Sequence, residues 1–164
     1  MNGAHLHLAL NHLPIFAIVF ALLFLGFGLA RRHPAIVRAG LLLVALGAAG
    51  AGGAFLTGEP AEEVVEDQPG ITESRIHEHE EAGEFALWVT IAAGVVALAA
   101  LWQARGRPEG PGRGATGVAL ALALVALATL ARTAWLGGEI SHPEIRGDAV
   151  MGAVMVTPDR EVGD

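Results

Sequence analysis

FALWVTIAAGVVALAALWQA, residues 85–104, is a run of 20 residues without one charged side chain. A bilayer hydrocarbon core of about 30 Å is crossed by about 20 helical residues at about 1.5 Å each. A helix in the core of a soluble protein keeps a polar stripe for water, and this run has none. The same reading applies to Leu13–Ala30 and Gly114–Ala131, 18 residues each, and to Ala39–Gly58, 20 residues. The last run is expected to continue past Arg132 through Trp135 to Gly138. The expected fold is all-α, a four-helix transmembrane bundle with helices over 12–30, 37–58, 79–104 and 114–138. One membrane domain spans 1–164, with an acidic outer loop over 59–78 and an outer C-terminal tail over 139–164.

Composition agrees. Mean hydropathy is +0.52 and only 16% of residues are charged, against about 25% in soluble domains. The chain has no Cys, which excludes disulfide scaffolds, thiolate-ligated iron–sulfur clusters and thiol nucleophiles. A net charge of −7 argues against a nucleic-acid partner, which needs a basic face. No hydrolase triad, phosphate loop or nucleotide fingerprint occurs.

Orientation follows from the arginines. Arg31, Arg32 and Arg38 fall between the first two helices, and Arg105, Arg107 and Arg113 between the last two. Basic residues in short loops stay cytoplasmic, so both termini and the loop from Glu59 to Glu84 are expected on the periplasmic side of a bacterial inner membrane. That loop holds ten of the seventeen acids. No basic segment precedes the first helix, so it reads as a retained span rather than a cleaved signal.

The chain reads as two parallel helical hairpins. Phe55-Leu56-Thr57-Gly58-Glu59 closes the first and Trp135-Leu136-Gly137-Gly138-Glu139 the second, both aromatic-Leu-x-Gly-Glu. His12 and His79 precede the first helix of each. Gly47, Gly50, Ala51 and Ala54 share one face of the second helix, where small residues permit close helix packing. Trp88 and Trp102 suit the two interfacial belts.

The histidines are the candidates for chemistry. His12 stands before its helix with Pro14 in the first turn; His79 heads a stripe of Ala82, Gly83, Ala86, Thr90 and Ala93 that leaves space beside an imidazole. Imidazole nitrogen suits haem iron. Glu73, His77, Glu81 and Glu84 form a separate acidic stripe, a solvated face or a carboxylate–imidazole site for zinc, iron or manganese. His5, His7 and His142 read as interfacial, and His33 lies on the arginine side. Arg132, inside the outer half of the last helix, is expected to face the bundle and meet a carboxylate such as Glu81 or Glu139, or a haem propionate.

Asn11-His12-Leu13-Pro14, Thr57-Gly58-Glu59-Pro60-Ala61-Glu62-Glu63, His79-Glu80-Glu81-Ala82 and Gly137 to Ile145 (GGEISHPEI) together resemble an uncharacterised family of bacterial four-helix integral membrane proteins. That family is related to a membrane domain sometimes fused to Rieske iron–sulfur modules. The resemblance spans residues 5–145 and implies electron transfer, although this chain lacks the Cys a Rieske segment needs. The leading expectation is a b-type cytochrome-like protein that holds haem b near the periplasmic face through His12 and His79, with Arg132 beside it. Its partners would be quinol, a periplasmic electron carrier or other membrane subunits. The alternatives are a non-haem divalent transition metal held by His12, His79, His77, Glu81 and His142, and a cofactor-free accessory subunit of a larger membrane complex.

Overall fold

The computed structural model describes residues 2–68 and 70–146, and every element in that range is helical. α1 spans Gly3–Leu10, α2 His12–Ala30, α3 Pro34–Leu56, α4 Gly58–Val65, α5 Glu73–Gln103 and α6 Arg113–Ser141, followed by a 3-10 turn at Pro143–Ile145. Counted through short breaks, four of these helices have the length and apolar content to cross a membrane: Gly3–Ala30, Pro34–Val65, Glu73–Gln103 and Arg113–Ser141.

The breaks have local causes. Pro14 has no amide N–H to give the carbonyl of Leu10, and the helix is interrupted at Asn11 between α1 and α2. α1 begins at an Asn2 side chain that accepts from the His5 amide at 3.0 Å, a standard N-cap. At the other end of α2 the chain reverses through Arg32, at φ 52°, and an extended His33 that precedes Pro34 at the first helical position, as a residue before proline prefers. The α5–α6 connection turns on Gly110 at φ +83°, where a Cβ would meet Pro34 Cβ at 2.7 Å. Both constraints require glycine there.

The four spans form a ring, with α2 beside α3, α3 beside α5, α5 beside α6, and α6 returning to α2. α2 and α5 therefore stand diagonally across the axis. Small residues set the spacing. A Cβ on Gly94 would lie 2.5 Å from Ala48, and one on Gly47 would lie 2.9 Å from Ile18. The small-residue face of α3 is thus a packing surface, as lipid-embedded helices require where no hydrophobic force presses them together. Two buried hydroxyls return to their own helices, Thr90 Oγ1 to the Ala86 carbonyl at 2.6 Å and Thr116 Oγ1 to the Gly112 carbonyl at 2.9 Å. Large side chains such as Phe16, Phe20, Phe27, Trp88 and Trp102 are exposed on the outside of the ring, where lipid replaces water.

The first span, expected over 12–30, corresponds to α2 but is extended by α1 to Gly3. The second span starts at Pro34 rather than 37, the third at Glu73 rather than 79, and the fourth runs to Ser141 rather than 138. The loop expected over 59–78 contains α4 and the first turns of α5, because its acids line helix faces rather than interrupting helix. Of the tail expected over 139–164, residues 147–164 lie outside the described residues.

Candidate functional site

Following the buried stripe of α2 back toward the N-terminus locates the site. Leu25, Ala21, Ile18 and Pro14 are buried, and the same helical face continues through Asn11 to His7 one and two turns earlier. On α5 the buried stripe Ala97, Ala93, Thr90 and Ala86 leads back to His79. Two imidazoles from diagonal helices thus head the two stripes that line the bundle axis. Their ring centroids are 6.4 Å apart with planes at 81°. Both rings are half-buried.

Each ring is anchored in the same way. His7 Nδ1 lies 3.0 Å from the Ala54 carbonyl and 3.2 Å from Thr57 Oγ1. His79 Nδ1 lies 3.0 Å from the Thr133 carbonyl. A carbonyl oxygen only accepts, so Nδ1 carries the proton and Nε2 of the neutral ring keeps its lone pair. Neither Nε2 takes a hydrogen bond from the described residues. The His79 ring also rests on Gly137, where a Cβ would meet its Cε1 at 2.9 Å.

These anchors are related by an internal repeat. Pro14, Ile18, Ala21, Leu25 and Gly28 fall in register with Ala86, Thr90, Ala93, Ala97 and Ala100, and all ten are buried. Val37, Gly40, Val44, Gly47 and Ala51 fall in register with Thr116, Ala119, Ala123, Ala126 and Leu130, again all buried. In the same registers His7 matches His79 and Ala54 matches Thr133, so the two histidine-to-carbonyl bonds are equivalent. The duplication legible in the Leu-x-Gly-Glu motifs extends to the site. In the structure the second helices align one residue away from the motif register.

One asymmetry sits below the pair. Asn11, one turn beneath His7, has a buried Oδ1 with no hydrogen-bond partner among the described residues. Its counterpart in the repeat is Gly83. Above the pair, the Glu62 carboxyl on α4 faces that of Glu80 on α5, with Glu59 close by. Together these carboxyl groups make the mouth of the site acidic.

The other expected residues are placed apart from this pair. His12 is exposed on the opposite face of its helix, with Nδ1 at 3.0 Å from its own Leu8 carbonyl and its ring stacked on Phe16. The structure therefore does not bring His12 to His79; it brings His7. His77 and Glu81 form an exposed i,i+4 pair at 3.3 Å. His142 and Glu144, two residues apart, form a second exposed pair at 3.0 Å, and there the backbone N–H of Glu144, then His142, hold the Glu144 carboxyl below its ordinary range. Among the described residues no group of three or more His, Asp or Glu side chains converges to a metal geometry. His5 is exposed against Asn2, and His33 lies at the arginine end. Arg132 is exposed on the outside of α6 beside Ala131 and Trp135, with no carboxylate partner among the described residues. Its long side chain can carry the charge to the headgroup region, which removes the need for a partner in the bundle.

Arg146, which the sequence reading passed over, is buried at 6% exposure. Its guanidinium donates to the carbonyls of Glu139 and Ile140 at the end of α6 and to Gly70 in the α4–α5 connection. A cation at a helix C-terminus is favoured by the orphan carbonyls there, and this one ties the connection to the bundle near the histidines.

A family model described as "Predicted membrane protein (DUF2231)" matches residues 3–144. The chain belongs to that family. No curated protein and no solved structure matches it.

Proposed function

We propose that this membrane protein binds a single transition-metal ion at the histidine end of its bundle, between His7 and His79. The observation that carries this reading is the equivalent anchoring of two neutral imidazoles, each with Nδ1 on a backbone carbonyl and Nε2 without a partner. That is how metal-ligating histidines are oriented by the groups around them. Two imidazoles on opposite sides of one ion, with metal–nitrogen bonds of about 2 Å plus the ring radius, have centroids roughly 6 Å apart. The 6.4 Å between His7 and His79 lies at that separation. Imidazole-only donors favour copper, zinc, iron or nickel over magnesium or calcium. The acidic mouth at Glu59, Glu62 and Glu80 raises the local concentration of cations, and Asn11 Oδ1 is available to a metal-bound water. A redox-active ion here would supply one-electron chemistry at the face where a periplasmic carrier could meet it.

Haem is the less favoured occupant. Ala82, Ala86 and Ala93 beneath His79 are 3%, 1% and 0% exposed, packed against the neighbouring helices, so a porphyrin would have to displace that packing.

The test is titration of the purified, lipid-reconstituted protein with Cu(II) and Co(II), followed by calorimetry and by electron paramagnetic resonance for nitrogen coupling. One equivalent should bind with two imidazole nitrogens. His7→Ala and His79→Ala should each weaken it by about 100-fold or more, while His12→Ala leaves it unchanged. Equal loss with His12→Ala, or no binding above that of the double variant His7→Ala/His79→Ala, overturns the proposal. A Soret band after haem addition that depends on both residues would assign the pair to haem iron instead.

A further inference from the structure

At the opposite end of the bundle, a wide-open surface cavity of about 480 Å³ is bordered by Arg38, Arg105 and Arg107, with Leu101 and Ala104 on its apolar side. We propose that it binds the phosphate of an anionic lipid headgroup.

The three guanidiniums come from two segments that the fold forces together. Arg38 lies one turn inside α3 and is half-buried; its Nη2 donates to the carbonyls of Ala104 and Arg107. Those bonds fix the end of α5 against α3 and leave Nε and Nη1 of Arg38 without a partner among the described residues. Gly106, at φ +71°, reverses the chain so that Arg105 and Arg107 flank the turn. The Arg105 guanidinium lies 3.8 Å over the Trp102 ring, which orients its plane and keeps it near the bilayer interface.

No carboxylate lines this cavity. The one at this end, Glu109, lines a smaller neighbouring cavity with Arg32 and Arg113, so the carboxylate stands there and not beside Arg38. Three guanidiniums around one space that no carboxylate lines suit a phosphate, whose oxygens accept forked hydrogen bonds. The chain has no Lys at all. Leu101 and Ala104 belong to the last turn of the span, and Leu98 and Trp102 beside them are 54% and 66% exposed on its lipid-facing side. A ligand with a phosphate and an acyl chain satisfies both walls, whereas free phosphate would leave the apolar one in water. Basic pockets at helix ends on the arginine-rich side recognise lipid headgroups by this combination.

The experiment is native mass spectrometry of the protein released from nanodiscs of equal phosphatidylglycerol and phosphatidylcholine. Wild type should retain phosphatidylglycerol, and the double variant Arg105→Gln/Arg107→Gln should lose at least tenfold of that retention. Neither side chain makes a hydrogen bond to the described residues, so folding should survive, and unchanged metal binding at the other end verifies it. Arg31→Gln/Arg32→Gln removes the same charge from the other loop and should retain the lipid. Equal loss in both double variants would mean a diffuse charge effect and overturns the site. So does a wild type with no preference for phosphatidylglycerol, or complete displacement by millimolar inorganic phosphate.

Discussion

Replacing Gly137 with Ala tests the histidine site without touching either imidazole. A Cβ at 137 would stand 2.9 Å from His79 Cε1 and 3.3 Å from Nδ1, whereas carbon atoms rest at about 3.5 Å or more. The ring must retreat by roughly half an ångström. It cannot do so freely, because the Nδ1 bond to the Thr133 carbonyl, 3.0 Å long, fixes its position along α6. Lengthened by that amount the bond reaches about 3.5 Å, the limit of a useful hydrogen bond. Losing it costs about 1 kcal/mol of stability, and loosening a ligand's supporting bond costs about 10- to 100-fold in metal affinity. Gly58, from the matching Gly-Glu motif, has no atom within 4 Å of a Cβ, so Gly58→Ala is the control. Metal titration of both variants in nanodiscs, with thermal unfolding alongside, should show weakened binding for Gly137→Ala and wild-type binding for Gly58→Ala. Identical affinities in the two would refute the idea that ring position, rather than the presence of a histidine, makes the site.

Two further outcomes are expected. Arg146→Met should lower stability by about 3 kcal/mol, since it leaves the carbonyls of Glu139, Ile140 and Gly70 without their charged donor, and limited proteolysis should cut sooner near Gln68; an unchanged digestion pattern would contradict the clamp. Because the chain has no Cys, a single cysteine at Ser74 should be labelled by an impermeant reagent from outside intact cells and one at Gly106 only after lysis; the reverse pattern would invert the arginine-based orientation.

The spans were legible because hydrocarbon imposes a simple rule, about 20 uncharged residues in a row, and Phe85–Ala104 satisfies it without ambiguity. The stripe below His79 was legible for a related reason: Ala82, Ala86, Thr90 and Ala93 recur at helical spacing, and all four are buried. The partner of His79 was harder to read. His12 stands next to the first hydrophobic run and Pro14 reads as a helix start, which makes the run appear to begin there. In the structure Pro14 only interrupts a helix that begins at Gly3, and the inward face is set by Ile18 and Pro14, which lead back to Asn11 and His7. The signal was present in the period of the buried positions rather than in proximity to the membrane boundary. Arg132 shows the same limit. Its depth in α6 could be read from sequence, but its direction depends on which face of α6 meets α5 and α2. Arg146 lies beyond the last span, and its role appears only when the end of α6 meets the α4–α5 connection.

The internal repeat gives the site its physical logic. Duplicating one hairpin around a common axis carries every inward-facing residue onto the opposite side, so a single histidine fastened to the end of its own hairpin becomes two histidines facing the same space. Each ring is held by a backbone carbonyl, His7 by Ala54 and His79 by Thr133, and backbone is the part of the chain that side-chain substitution changes least. The geometry can therefore persist while the residues around it diverge. Divergence is what the next turn shows: Asn11 on one side, with its buried, unpartnered Oδ1, and Gly83 on the other. A symmetric pair of Asn residues would crowd the axis, and a symmetric pair of Gly residues would leave an apolar gap. One of each provides a single acceptor, opposite a glycine whose Cβ would only touch Thr133 Cγ2 at 3.7 Å. In the proposed site, an ion between the imidazoles would have one polar neighbour a turn away, Asn11 Oδ1, and that acceptor could hold a metal-bound water in the position an exchangeable ligand takes.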